Sequence, residues 1–241
     1  MTPTTTDQEI VPTGKLRLGI NGSNATLYER AADGSAGGIA VDLGTFIAGK
    51  LGVPFAALVY PGAAAYTASF GTGEWDIIVT GRNPLAAQRV EFIGDVILID
   101  YVYLAAPDRS FAGPDNVDRA GVRIGVPRNA SADAFLSGRL KAAELVRLPG
   151  DMATAADMLR DGKIDLYASG GDSLQHIANR VPGSKIIGTF ETVAFAISTA
   201  KGKSPAARAR LTQLVNEAKA AGIVRKALAQ SGREGVRAAP D

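Results

Sequence analysis

Cysteine is absent from the 241 residues, which excludes disulfides, thiolate nucleophiles, Fe–S clusters and cysteine-type zinc sites. A single histidine, His176, leaves a Ser-His triad one candidate base and rules out a histidine-rich metal centre. An excess of charge of one sign is also lacking. With 26 Lys and Arg against 24 Asp and Glu, the formal charge is +2, without the basic stripe that would imply a nucleic-acid partner. No apolar run approaches the ~18–20 residues of a membrane-spanning helix, so membrane insertion is not expected. The most apolar segment, residues 92–106, is interrupted by Asp95 and Asp100. Residues 1–14 lack the basic start, apolar middle and small-residue cleavage site of an export signal. Either the chain stays in the cytoplasm or a signal has been removed.

Apolar residues make up 46% of the chain, enough for a substantial core, and the length suits one large domain or two lobes. Residues 1–14, polar with Pro3, Pro12 and Gly14, read as a flexible lead-in. An alternating strand pattern follows in Lys15-Leu-Arg-Leu-Gly-Ile-Asn21. A helical face then runs through Ile39, Leu43, Phe46, Ile47 and Leu51, with Gly52 as its C-cap and Pro54 blocking continuation. Residues 53–60 read as a second strand, residues 63–70 as a short helix, and Glu74-Trp-Asp-Ile-Ile-Val-Thr80 as a third strand. This alternation predicts a parallel sheet with helices on both faces.

The pattern then restarts. Arg17-Leu-Gly-Ile has a counterpart in Arg123-Ile-Gly-Val, each followed by Asn-Ala, at Asn24 and at Asn129. Gly73-Glu-Trp-Asp-Ile-Ile-Val-Thr-Gly81 is echoed by Gly162-Lys-Ile-Asp-Leu-Tyr-Ala-Ser-Gly170. Two matches in the same order predict two similar α/β lobes. Ser131 and Asp151 stand as caps of two further helices, and Ser204-Pro205 opens a third. The expected division is a first lobe of residues 15–105 plus 190–232, a second of 106–189, and a flexible tail of 233–241. Asp42, Asp76 and Asp165 read as helix-dipole or turn residues.

In open α/β sheets, ligands bind beyond the carboxyl ends of the strands. Two lobes bring two such edges face to face, and four loops fall there. They offer Asn21, Ser23, Asn24, Thr80, Gly81, Arg82 and Asn83 from the first lobe. From the second come Arg128, Asn129, Ser131, Ser169, Gly170 and Asp172. Tyr66 begins the short helix facing the gap and is expected to wall it. Two arginines against one carboxylate favour an anionic or zwitterionic small molecule. Arg82, directly after a buried strand, could present a planar fork to a carboxylate.

These motifs resemble those of the bacterial extracellular solute-binding family 3, the polar amino-acid type of ABC-transporter binding protein. The likeness rests on Gly38-Ile-Ala-Val-Asp-Leu43, Gly73-Glu-Trp-Asp-Ile-Ile78, Arg89-Val-Glu-Phe92, Val122-Arg-Ile-Gly-Val126, Gly162-Lys-Ile-Asp165, residues 193–202 and residues 215–222. It implies the type II periplasmic binding fold, two Rossmann-like lobes joined by two crossover strands. It further implies a periplasmic, monomeric receptor that closes like a hinge on an amino-acid-like or small carboxylate ligand, with an ABC permease as partner and no metal or cofactor. The family's loop arginine clamps a ligand carboxylate; here Arg82, or else Arg89, stands nearest that position. The family's second-lobe hydroxyl nest becomes Asn129-Ala-Ser131, and Asp172 falls one or two residues past the aspartate that meets an amino group. The same resemblance includes cyclohexadienyl dehydratases, for which Glu191, Asp172, Glu29 and His176 are the acids to weigh. No catalytic residue is assigned.

Overall fold

The computed structural model describes residues 5–31, 33–231 and 235–240. After a short helix α1 (Thr5–Ile10), the first lobe sets out β1 (Leu16–Asn21), a ribbon of β2 (Glu29–Arg30) and β3 (Ala36–Gly37), and α2 (Ile39–Leu51). It continues through β4 (Phe55–Tyr60), α3 (Ala63–Ala68), β5 (Ile77–Gly81) and α4 (Pro84–Arg89). The long strand β6 (Val90–Ala105) crosses to the second lobe. There the order is β7 (Arg123–Pro127), α5 (Ser131–Leu136), β8 (Glu144–Leu148), α6 (Met152–Arg160), β9 (Leu166–Gly170) and α7 (Gly171–Ala178). A second long strand, β10 (Lys185–Ala200), returns, followed by α8 (Pro205–Ala220), α9 (Ile223–Ser231) and β11 (Val236–Ala238).

The main sheet runs β4-β1-β5-β10-β6-β9-β7-β8, with β11 paired to β6. Within each lobe the three short strands are parallel in the order second, first, third, and the third pairs antiparallel with a crossover strand. β6 and β10 pair with each other along their length, so each belongs to both lobes. The expected α/β architecture, two lobes on two crossover strands, is therefore the observed one.

The duplicated motifs have a common physical cause. In the first lobe, Asp76 accepts hydrogen bonds from the Arg17 backbone N–H (2.8 Å), Nε (3.2 Å) and Nη2 (2.7 Å). In the second, Asp165 accepts from the Arg123 backbone N–H (2.8 Å), Nε (3.1 Å) and Nη2 (3.1 Å), and pairs with Arg109 as well. Each clamp ties the start of the first strand to the approach of the third. Asp76 and Asp165 are thus buried ion-pair anchors rather than the turn residues expected. Burial works against the Asp165 carboxylate, but hydrogen bonds and charge from Arg123 and Arg109 outweigh it and hold its pKa below the ordinary value. The strand glycines follow from packing: a Cβ at Gly19 would stand 2.9 Å from Ile78, and one at Gly125 2.6 Å from Ile164.

Both termini differ from expectation. Residues 5–10 form α1 instead of a loose lead-in, because Ile10 and Val11 are buried in the main core. Glu9 also accepts from the Ser204 backbone N–H and hydroxyl at 2.7 and 2.6 Å, fastening α1 to the start of α8. Within the expected tail, Val236–Ala238 pairs with β6 and Ala239 is buried; residues 233, 234 and 241 lie outside the described residues. Gly52 does cap α2, in the left-handed region at φ 68°.

Candidate functional site

The carboxyl ends of β1 and β5 face those of β7 and β9, and the lobes touch across the gap. Asn83 caps α4 by accepting from the Ala86 N–H, while its Nδ2 donates to Ser131 Oγ in the other lobe at 3.2 Å. On the other side, Thr26 Oγ1 donates to Asp172 Oδ2 at 3.3 Å. The approach at Gly81 is close enough that a Cβ there would lie 2.6 Å from Ser131 Oγ. The cleft is closed.

Two small chambers remain inside it, of about 50 and 60 Å³. The first brings together Asn21, Asn24, Tyr66, Thr80, Gly81, Asn83, Asn129 and Ser131. The second adds Ser23, Ser169 and Gly170 to Asn21 and Asn24. These residues come from four strand-end loops and from Tyr66 on α3, and the fold assembles them because the carboxyl edges of the two lobes face each other. Asn129 holds a left-handed backbone, φ 60°, and its N–H donates to the buried Asp133 (2.9 Å), which also accepts from Arg147 and Ser137. Outside the second chamber, past Ser23, Gly150 and Met152, lies an open basin of about 760 Å³ that carries Glu29, Arg30, Asp151, His176 and Arg180.

Three expected site residues line neither chamber. Arg82 is exposed; its Nε donates to Asp95 at 2.5 Å and its guanidinium lies 4.7 Å from the centre of the Phe92 ring. The alternation of β5 into the loop turns it to the outer face, where a carboxylate and an aromatic ring hold it. Arg128 is exposed and lines neither chamber. Asp172 is buried in the first turn of α7 and is engaged by Thr26, again outside both linings. The clamp on which an anionic ligand was expected is therefore not in the cleft.

Sequence reading also missed contributors. Tyr101, on β6, lines both chambers, as do Ala63 and Ala130. Its signal was its place in the crossover strand two residues before Tyr103, on the same face by the two-residue period. Tyr103 stacks on Phe190, 4.4 Å between ring centres, and Tyr101 meets the same ring edge-on at 6.3 Å. Burial pushes the Tyr101 phenol up to about 12, with a hydrogen bond to Ser131 opposing, and burial likewise raises Tyr66 and Tyr167. The Tyr66 hydroxyl donates to the Val79 carbonyl at 3.1 Å.

Among the described residues no Asp, Glu or His lines either chamber. Glu191 is paired with Arg139 at 2.6 Å, and Glu29 and His176 stand in the outer basin. Among the described residues no cluster of three His, Cys, Asp or Glu could hold a metal ion. No helix is long and apolar enough to cross a membrane, among the described residues.

No protein-family model matches the chain, and no curated protein matches it in sequence. Solved structures do match in fold. The solute receptor for L-cysteine of Neisseria gonorrhoeae superposes with a TM-score of 0.78 at 20% identity, over 94% of this chain and 93% of that one. An ancestral amino-acid-binding protein, a precursor of cyclohexadienyl dehydratase, gives 0.78 at 17% identity, over 94% and 99%. EhuB, solved in complex with hydroxyectoine, gives 0.77 at 18% identity, over 95% and 92%. The chain thus has the type II periplasmic binding protein-like fold.

Proposed function

We propose that this chain is a solute-binding receptor that closes its two lobes over a small polar molecule and performs no chemistry on it. The observation that carries the reading is the closed cleft itself, with hydrogen bonds between the lobes on both sides of chambers whose polar lining is of amides and hydroxyls. Two crossover strands are the only sheet connection between the lobes among the described residues, which suits hinge closure. Likeness in fold to receptors for amino acids and related solutes supports the same reading. Its place would be as a monomer outside the cytoplasmic membrane, handing ligand to an ABC-type permease. The dehydratase-like alternative lacks a general acid in either chamber.

Thermal unfolding against a panel of small polar solutes tests the proposal. A ligand at 100 times its Kd should stabilise the chain by about 2.7 kcal/mol. The bound solute should be recovered unchanged after hours. Steady consumption of it would replace the receptor reading with a lyase.

A further inference from the structure

We infer that the ligand is uncharged: a small molecule presenting hydroxyl or carboxamide groups, neither an ion nor a zwitterion. This rests on the receptor reading above and names the class of solute it takes. Beside apolar side chains such as Phe70, Leu85, Phe195 and Ile99, the chambers are lined by groups that donate and accept hydrogen bonds but carry no charge, the amides of Asn21, Asn24 and Asn83 and the hydroxyls of Thr80, Ser131 and Ser169. Among the described residues, the only ionisable groups in either lining are the phenols of Tyr66, Tyr101 and Tyr167, all raised by burial and therefore neutral near pH 7.

Most charged side chains near the cleft are engaged in other contacts, and Arg128 is exposed outside both linings. Arg82 pairs with Asp95, Arg139 with Glu191, Arg147 with Asp133, and Asp172 accepts from Thr26. Helices α5 and α7 begin at the cleft, yet each has its own buried carboxylate in the first turn, Asp133 and Asp172, which answers the helix dipole. An ion entering the closed cleft would lose its hydration without gaining a countercharge, a loss of about a hundredfold or more in affinity. The charges of the outer basin stand beyond Ser23, Gly150 and Met152, open to solvent.

The test uses matched pairs on the full chain: acetamide against acetate, lactamide against lactate, malonamide against malonate, with urea, glycerol and erythritol as further neutral probes and glycine and alanine as zwitterions. Calorimetric titration should show a neutral probe binding about a hundredfold or more tighter than its charged partner. Arg82→Gln should leave that affinity within about twofold, since Arg82 is outside both linings. A carboxylate or zwitterion that binds as well as its neutral counterpart would overturn the inference while leaving the receptor reading intact. So would a loss of binding in Arg82→Gln. A panel on which nothing binds would count against the receptor reading, and this inference would fall with it.

Discussion

Gly81→Ala should hold the two lobes apart. Gly81 sits at the end of β5 with φ outside the left-handed region, so alanine fits its backbone and only space is at issue. The new Cβ would meet Ser131 Oγ at 2.6 Å across the cleft, and Val193 and Phe195 at 3.1 and 3.3 Å on its own side. The last two contacts exist whether the cleft is open or closed, whereas the first exists only in the closed form. Overpacking costs about 1–3 kcal/mol, and turning Ser131 away also sacrifices the bond from Asn83, about 0.5–1.5 kcal/mol. A difference of about 2 kcal/mol between the two forms would shift the closed-to-open ratio about thirtyfold. Because the chain has no cysteine, Ala64→Cys and Ala153→Cys supply unique sites for spin labels, one on each lobe. Electron–electron distance measurements should show a longer, broader distribution in Gly81→Ala than in the parent. Adding Ser131→Ala removes the clashing atom and should restore the short distance. A Gly81→Ala chain with the parental distribution, or a double variant that stays open, would refute the closed geometry.

Asp165→Asn should destabilise the chain by about 2–4 kcal/mol in urea unfolding, because it leaves Arg123 and Arg109 without their buried partner. Asp76→Asn should cost the same or slightly less, having Arg17 alone to strand. A cost under about 0.5 kcal/mol for both would show that the duplicated clamps are not anchors. Stability should fall as the pH drops below about 4. The carboxyls of Asp165 and Asp118 are depressed, Asp165 by its arginines against the opposing effect of burial, and Asp118 by the N–H groups of Ala143, Ala142 and Lys141. Their stabilisation is complete above the unfolded-state pKa and is lost as pH falls through the folded one. Urea midpoints measured from pH 3 to 6 check this, and Asp165→Asn should flatten the slope. Ile10→Ala should cost about 2–4 kcal/mol, since Ile10 is 1% exposed; a midpoint equal to the parent's would return residues 5–10 to the role of a loose lead-in.

What was legible in the sequence is what a local chemical requirement enforces. The Arg-x-Gly and Gly-x-x-Asp repeats survive in both lobes because each needs an arginine fork at one strand start, a carboxylate at another and a bare Cα between them. The strand-end loops were legible because strand ends gather ligand-facing residues whatever their order in the chain. Arg82 was not. Its direction is settled by Asp95 and Phe92, ten and more residues later and on a different strand, and no local pattern around Thr80 encodes that competition. The same holds at the termini. Residues 5–10 contain a single large apolar side chain, so their helix depends on docking against α8 rather than on periodicity, and β11 is three residues that gain order from the edge of β6.

The clamps and the cleft occupy opposite ends of the same strands. Arg17 and Arg123 pair at the amino ends of β1 and β7, while Asn21 and Asn129 stand at or past the carboxyl ends. With about 3.3 Å per residue, four residues of strand separate Arg17 from Asn21 by about 13 Å. The Arg–Asp clamps therefore make no contact with the groups that line the chambers, and the two can change independently. Such a division lets one scaffold keep its charge pairs as structure and present chambers with no Asp, Glu, His, Lys or Arg in their linings among the described residues, with Arg82 and Arg128 both outside them. Loss of an anchor should then lower the unfolding midpoint at constant ligand affinity, and Ser169→Ala in the second chamber should do the reverse. A scaffold in which both kinds of substitution moved both quantities together would have its recognition and its stability stored in the same contacts, contrary to this geometry.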